Sequence, residues 1–192
     1  MHRDEALLRA ALLRDARASS DFDLNPGVTA AEGRVLRSAA VLVAVGLWDA
    51  QACVILTKRS SRLQHHPGQI AFAGGKVEAG ESVEDAALRE AREEIGLMSA
   101  EVLGRLPVHE TVTGFAVTPV LALVREAFEA SPERGEVDEV FTVPLRHVMD
   151  PARYVIEQRR WQGMPRKYYA VPYGPYYIWG ATARILRGLA TR

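Results

Sequence analysis

The spacing of apolar residues along the chain predicts three helices. Near the start, leucines recur at the three- and four-residue intervals that mark one face of an amphipathic helix. The clearest helix begins at Ser82, which forms a capping box with Asp85 three residues later, and ends before Gly96, a residue typical of helix ends. The predicted helices cover residues 3–17, 82–95 and 182–189.

Segments rich in β-branched residues predict strands between these helices. Residues 48–51 join the first two strands into a hairpin, and Gly163, Met164 and Pro165 mark the turn of the last two. The predicted strands cover residues 37–47, 52–58, 118–124, 137–143, 154–161 and 167–171. Strands that alternate with helices in this way predict an α/β (α+β) sandwich around a mixed β-sheet.

The loop residues near the N-terminus divide the chain into two parts. Asn25, Pro26, Gly27 and Gly33 mark a loop after the first helix. We therefore expect residues 1–34 to form an N-terminal helix and loop that pack on a single domain formed by residues 35–192. A length of 192 residues agrees with one main domain.

The composition argues against several classes of protein, among them membrane proteins and disulfide-bonded secreted proteins. The chain has no apolar run long enough to span a membrane and no apolar signal core at its start, so a cytoplasmic protein is the expectation. Its single cysteine, Cys53, excludes an internal disulfide framework and a multi-cysteine zinc site, and its apolar neighbours predict a buried thiol. With 24 basic and 24 acidic residues, there is no bulk attraction for nucleic acid or membranes.

The neutral total hides three charged segments. A basic strip over residues 58–66 contains no acid, whereas residues 76–94 are strongly acidic. From residue 151 onward, Glu157 is the only acid among eight arginines and lysines, and this segment also holds all six tyrosines. Any anionic ligand must therefore be recognised locally.

Three carboxylates on the predicted helix over residues 82–95 are candidate metal ligands. Glu90, Glu93 and Glu94 lie on one helix face, where they repel one another unless a cation sits among them. A solvated acidic face balanced by neighbouring arginines is the alternative interpretation. Small residues near the same face and the pair Gly74 and Gly75 just upstream favour close backbone approach. Such hard oxygen ligands suit Mg²⁺ or Mn²⁺.

The segment from Gly75 to Leu97 resembles the Nudix box. The box reads Gly, five residues, Glu, seven residues, then Arg-Glu-hydrophobic-x-Glu-Glu-x-Gly-hydrophobic, and this chain meets every fixed position, with Ala91 where a larger aliphatic residue is usual. The resemblance implies a Nudix α/β/α sandwich with a central mixed β-sheet. It also implies metal-dependent hydrolysis of a nucleoside diphosphate linked to another moiety.

Roles for individual residues follow from this resemblance. It implies that Glu90 and Glu94 are the principal metal ligands, that Glu93 is a further ligand or a base that orients water, and that Gly74 is a ligand through its carbonyl. Arg89 would orient the glutamates, and Glu81 would support the loop or bind an extra ion. The general base would lie either in the box or on a distal acidic loop, where the candidates are Glu133, Glu136, Asp138 and Glu139.

The segment before the box is similar to the extra motif of the coenzyme A pyrophosphatase branch of this family. The residues in register are Thr57, Arg59, Ser60, Leu63, His66, Gly68, Gln69 and Phe72, and the departure is Ala73 in place of proline. With further similarity downstream, the resemblance covers about residues 35–190. It implies a nucleotide substrate like coenzyme A, whose 3′-phosphate demands additional cationic contacts.

The substrate-binding candidates are Lys58, Arg59, Arg62, His66 and Gln69. Lys58 and Arg62 could equally be solvated charges at a strand end. The aromatic tail could stack on adenine or line a pantetheine channel, or it could pack a sheet edge or a homodimer interface. Two alternatives to the main interpretation are a Nudix hydrolase acting on ADP-ribose, NADH or a nucleoside triphosphate, and a non-catalytic Nudix ligand-binding module.

Overall fold

The computed structural model describes residues 2–28, 33–48, 50–161 and 163–192. It contains four α-helices in these ranges: α1 (His2–Leu13), α2 (Val83–Ile95), α3 (Leu145–Val148) and α4 (Gly180–Ala190). The strands there are β1 (Ser19–Ser20), β2 (Arg37–Trp48), β3 (Gln51–Arg59), β4 (Ile70–Ala71), β5 (Gly74–Lys76), β6 (Glu101–Arg105), β7 (His109–Glu110), β8 (Phe115–Leu123), β9 (Val137–Pro144), β10 (Val155–Trp161) and β11 (Met164–Ala170).

The main sheet is mixed and is organised around β2. One edge of β2 pairs in parallel with β8, and its other edge pairs antiparallel with β3 and with the short β5. The order β1-β7-β8-β2-β3-β4 forms the path of the sheet, while β6 pairs with β8 and β9 pairs with β3. The predicted mixed sheet is confirmed, and β5 brings the glycine pair at its start next to the centre of β2.

Helices cover both faces of this sheet. Successive side chains of a strand point to opposite faces, so Leu42 and Ala44 of β2 pack in the core under α2, whereas Val43 and Val45 pack in the core on the other side. That second core also contains buried residues of α1, α3 and α4. The predicted α/β/α sandwich is therefore confirmed. The helix α2 meets the sheet through buried alanines, whose small side chains let the two layers lie close together.

The predicted helices are present, with shifted ends. The first helix ends at Leu13 rather than at residue 17, and the last extends from Gly180 to Ala190. Cys53 is buried, as expected. Among the described residues, no helix is long and apolar enough to cross a membrane.

The last hairpin differs from the prediction in its turn. Trp161 pairs with Met164 and Arg160 pairs with Pro165, so Met164 and Pro165 belong to β11 and not to the turn. Gly163 has a φ of 79°, a left-handed conformation that a tight turn requires and that glycine adopts without strain. The hairpin also forms a separate two-stranded sheet and does not extend the main one.

The N-terminal segment is attached to two distant parts of the fold. Residues 19 and 20 pair in parallel with β7. The buried side chain of Asn25 donates to the Lys167 carbonyl at 3.0 Å and accepts from the Lys167 amide at 2.8 Å, so it occupies the place of a neighbouring strand beside β11. The fully buried His109 ring bonds Ser19 and Asp21 from its two nitrogens.

Candidate active site

Local signals fix both ends of the helix that carries the candidate ligands. The Asp85 amide donates to the Ser82 hydroxyl at 3.1 Å, which caps the start of α2. Gly96 ends the helix with a φ of 74°, and its amide bonds carbonyls of the last turn. Between these ends, helix geometry places Glu90 and Glu94 one turn apart, on the part of α2 next to β5.

Glu94 is a buried carboxylate. Only 4% of the residue is exposed, and its Oε2 accepts a hydrogen bond from the Gly74 amide at 3.1 Å. Burial raises the pKa of Glu94 to about 7, and the nearby carboxylates of Glu90 and Glu136 add to this effect. Gly74 thus contacts this carboxylate through its amide, while the role implied for its carbonyl stays a prediction.

Glu90 lies against the glycine pair. A Cβ atom added at Gly75 would be 2.7 Å from Oε2 of Glu90, so only glycine leaves space for this carboxylate. Burial raises the pKa of Glu90, against the lowering effect of Arg89, and the carboxylates of Glu93 and Glu136 raise it further. The pKa of both Glu90 and Glu94 is therefore raised by burial and by neighbouring negative charge.

Arg89 is the centre of an ion-pair network beside this cluster. Its guanidinium group donates to Glu81 at 2.9 Å, to Glu90 at 2.9 Å and to Glu93 at 3.1 Å, and it also donates to the Lys76 carbonyl. Glu81 accepts from the Glu78 amide as well, which places it in support of the loop. The Glu93 side chain is 59% exposed and faces Arg89. A role for Glu93 as ligand or base stays a prediction.

The residues in this cluster fit a divalent cation. Within the described ranges, no three His, Cys, Asp or Glu side chains are already arranged as a ligand set. However, Glu94 is buried beside other carboxylates, and no cationic side chain forms an ion pair with it in the described part of the chain. An ionised carboxylate in such surroundings requires a compensating charge. A divalent ion with water in its remaining positions would supply that charge between Glu90 and Glu94.

Hydrogen bonds distinguish the four candidate bases of the acidic loop. Three of their carboxylates already accept a hydrogen bond from another residue of the protein: Glu133 from the Gly135 amide, Asp138 from the Ser61 amide, and Glu139 from the Tyr176 hydroxyl. Glu136, by contrast, is near enough to Glu90 and Glu94 to raise the pKa of both. The Ser60 amide holds the Glu136 carbonyl at 2.7 Å, which fixes this loop beside the cluster.

The five candidate substrate-binding residues separate into two groups. Arg59, His66 and Gln69 line a cavity of about 300 Å³ on the sheet face opposite α2, whereas Lys58 and Arg62 do not line it. Lys58 and Arg59 are consecutive in β3, and the pairing of β3 with β9 shifts register between them, which interrupts the regular alternation of side chains at this point. Arg59 also lowers the pKa of Glu94, so its charge reaches the carboxylate cluster.

Sequence reasoning missed most of this cavity. Its described lining also includes Asp21, Arg159, Arg166, Lys167, Tyr168 and Trp179. The excess of basic and aromatic residues in the tail was the only signal for the last five, and no pattern pointed to Asp21. Other tail aromatics pack against the core, as Tyr176 does when it stacks on Phe141 with ring centroids 3.6 Å apart. Some aromatic residues of the tail therefore pack against the core, and others line the cavity.

Comparison with known proteins identifies the family. The model of the NUDIX domain matches residues 37–163. The chain belongs to the Nudix family. It is 40% identical over 157 residues to the Nudix hydrolase NudL of Citrobacter koseri, covering 80% of this chain and 81% of that relative. It is 38% identical over 157 residues to NudL of an Enterobacter species, with the same coverage. NudL is described as uncharacterized in both organisms.

Solved Nudix structures show the same fold. The Nudix hydrolase RenU of M. smegmatis matches with a TM-score of 0.51 and 25% identity, covering 62% of this chain and 83% of that one. A MutT/nudix family protein from Enterococcus faecalis matches with a TM-score of 0.51 and 17% identity, covering 85% of this chain and 64% of that one. The expectation of a Nudix hydrolase is confirmed. Nudix hydrolases generally use divalent ions such as Mg²⁺ or Mn²⁺, which agrees with the carboxylate cluster.

Proposed function

We propose that this Nudix hydrolase cleaves the pyrophosphate bond of coenzyme A or a derivative, giving 3′,5′-adenosine bisphosphate and 4′-phosphopantetheine. The observation that carries the proposal is the position of Arg59, whose charge acts on Glu94 and whose side chain lines the cavity of about 300 Å³. A substrate that reaches both places needs a pyrophosphate at the carboxylates and further negative charge in the cavity. Coenzyme A has both, because it carries a 3′-phosphate in addition to its pyrophosphate.

The residues of the cluster have distinct tasks in this reaction. A divalent ion, when bound, neutralises charge that develops on the phosphate oxygens. Glu90 and Glu94 would hold it, and Arg89 positions Glu90 through their hydrogen bond of 2.9 Å. Glu136 accepts the proton of the attacking water as the new oxygen–phosphorus bond forms and the bond from phosphorus to the bridging oxygen breaks.

A substrate panel tests the proposed specificity. We expect kcat/KM to be higher for coenzyme A than for its dephospho form or for ADP-ribose, because only coenzyme A carries the 3′-phosphate. The products should be the two named above, as measured by chromatography. Preference for ADP-ribose, NADH or a nucleoside triphosphate would contradict the proposal and favour another Nudix substrate.

The variant Glu94→Gln tests the metal assignment. It keeps the shape of the side chain but removes its charge, so Mg²⁺-dependent turnover should fall by at least about 100-fold. Glu84→Gln is the matched control, since Glu84 lies on the same helix and pairs with Arg105, away from the cluster. Turnover of Glu94→Gln within a few-fold of wild type would show that the assignment is wrong, and a wild type with no turnover would indicate a ligand-binding module.

The variant Glu136→Gln tests the proposed base. We expect it to lower kcat by about 10²- to 10⁴-fold, the usual contribution of a general base. Glu133→Gln is the matched control in the same loop, because the Glu133 carboxylate is bound to the Gly135 amide. Equal losses in the two variants would indicate that the loop matters only for structure.

A further inference from the structure

The cavity beside Arg59 combines apolar walls with an excess of positive charge. Buried or half-buried Val41, Phe72, Val117 and Ile185 supply apolar surface. Arg59, Arg159, Arg166 and Lys167 also line it, and among the described lining residues Asp21 is the only acid. The Asp21 carboxylate is already bound by the His109 ring at 3.2 Å and by the Val112 amide at 2.9 Å. Its charge is therefore largely engaged by the protein itself.

Arg159 is held at this cavity by an aromatic side chain. Its guanidinium carbon lies 4.0 Å from the centroid of the Trp179 ring, and that ring lies 5.0 Å from the ring of Tyr168. Stacking on an aromatic face leaves the donors at the edge of a guanidinium group available. Within the described ranges, no carboxylate forms an ion pair with Arg159. The guanidinium group is thus oriented but not neutralised.

Two guanidinium groups from distant elements line the cavity together with the imidazole of His66. Burial lowers the pKa of His66, and the charges of Arg59 on β3 and Arg159 on β10 lower it further. Like charges that converge on one site repel one another, and a bound anion offsets that repulsion. The first turn of α4 adds uncapped backbone amides to the same wall, since Trp179 gives no side-chain cap. Each of these features favours an anion in the cavity.

We propose that this cavity binds the 3′-phosphorylated adenosine half of the substrate, with Arg159 as the residue that contacts the 3′-phosphate. The inference rests on the proposed function, because Arg59 links the cavity to the carboxylates where the pyrophosphate binds. The guanidinium group of Arg159 donates to the phosphate oxygens, and the apolar surface of the cavity packs against the base. The hairpin of β10 and β11 therefore determines which nucleotides are accepted.

Binding of the nucleotide product tests this inference without turnover. The full chain is titrated calorimetrically with 3′,5′-adenosine bisphosphate and with AMP, in EDTA. We expect wild type to bind the bisphosphate at least about tenfold more tightly than AMP, the range for a hydrogen bond to a charged group. Arg159→Ala should abolish this preference and leave the affinity for AMP within about threefold. The matched control is Arg160→Ala, since Arg160 is the next residue on the exposed strand and does not line the cavity.

The outcomes separate the two proposals. If wild type prefers the bisphosphate and Arg159→Ala keeps that preference, the role of Arg159 is overturned while coenzyme A remains the proposed substrate. If Arg160→Ala weakens the preference as much as Arg159→Ala does, general charge and not a subsite explains binding, and the inference also fails. If wild type binds both nucleotides equally and hydrolyses ADP-ribose in preference to coenzyme A, the proposed function is wrong, and the inference that rests on it is wrong as well. Thermal unfolding of each variant confirms that the loss is one of binding and not of folding.

Discussion

Substitution of alanine at the two adjacent glycines of β5 should have different effects, on activity at Gly75 and on stability at Gly74. A Cβ atom at Gly75 would lie 2.5 Å from the carboxylate carbon of Glu90, whereas carbon atoms in contact are separated by about 3.5 Å. The Glu90 carboxylate must therefore move by about 1 Å in Gly75→Ala. Such a displacement of a group at a reacting centre costs about 10²-fold in rate. Because only the end of a flexible side chain moves, the free energy of unfolding should change by less than about 1 kcal/mol.

Gly74→Ala should instead lower the stability of the protein. Its Cβ atom would lie 2.7 Å from the Cα atom of Val41, so the backbone of the central strand would have to shift. Overpacking of this kind destabilises a protein by about 1–3 kcal/mol. Gly27→Ala is the control for the loss of glycine itself, since no described atom beyond its chain neighbours lies within 4 Å of its Cβ position.

The assay combines kcat/KM at saturating Mg²⁺ with urea unfolding for all three variants. We expect Gly75→Ala to lose activity with wild-type stability, Gly74→Ala to lose stability, and Gly27→Ala to lose neither. Full activity in Gly75→Ala would refute the view that the position of the Glu90 carboxylate limits the reaction. A stability loss in Gly75→Ala equal to that in Gly74→Ala would refute the distinction between a side-chain clash and a backbone clash.

Three further predictions concern the hydrogen bonds around the site. Arg89→Lys keeps the charge but cannot reach all of its partners, so Mg²⁺ affinity measured by activity titration should fall by about 10- to 100-fold. Asn25→Asp removes the donor to the Lys167 carbonyl and should lower the free energy of unfolding in urea by about 1–3 kcal/mol, whereas Gln158→Glu on the exposed strand should change little. Burial raises the pKa of Asp21, but the bond with His109 and the Val112 amide outweigh burial, and the net shift is downward. The stability advantage of wild type over Asp21→Asn should therefore be full above about pH 5 and shrink as the pH falls below about 3.9. Urea unfolding between pH 3 and pH 6 measures this, and an advantage that grows toward pH 3 would contradict it.

Features that depend on short sequence distances could be predicted from the sequence. The capping box and Gly96 fix the ends of α2 through contacts within one turn of the helix. The spacing of the box also placed Glu90 and Glu94 on one helix face. Short strands such as β4 and β7 were missed, because two residues of sheet pairing carry no periodic signal.

Features that depend on tertiary contacts could not be predicted. Arg59 and Arg159 are 100 positions apart in the sequence, and only the fold brings both of them to the cavity that His66 also lines. The acids of the loop over residues 133–139 look equivalent in sequence, and the contacts of Glu133 and Glu136 with their neighbours separate them. Alternation along β3 would not have predicted the face that Arg59 takes, because the pairing of β3 with β9 shifts register between Lys58 and Arg59.

The side chain of Asn25 shows that segments outside the shared domain help to build the cavity. It binds the main chain of β11, and the neighbouring Asp21 lines the cavity, yet both residues precede the region shared with the NUDIX domain, which begins at residue 37. Several cavity residues, among them Trp179, follow its end at residue 163. The shared region thus carries the carboxylates that we propose for hydrolysis, while the flanking segments complete the wall of the cavity that we propose for the nucleotide. If both proposals hold, replacement of these flanks should change the preferred nucleotide and leave the carboxylates of the reaction in place.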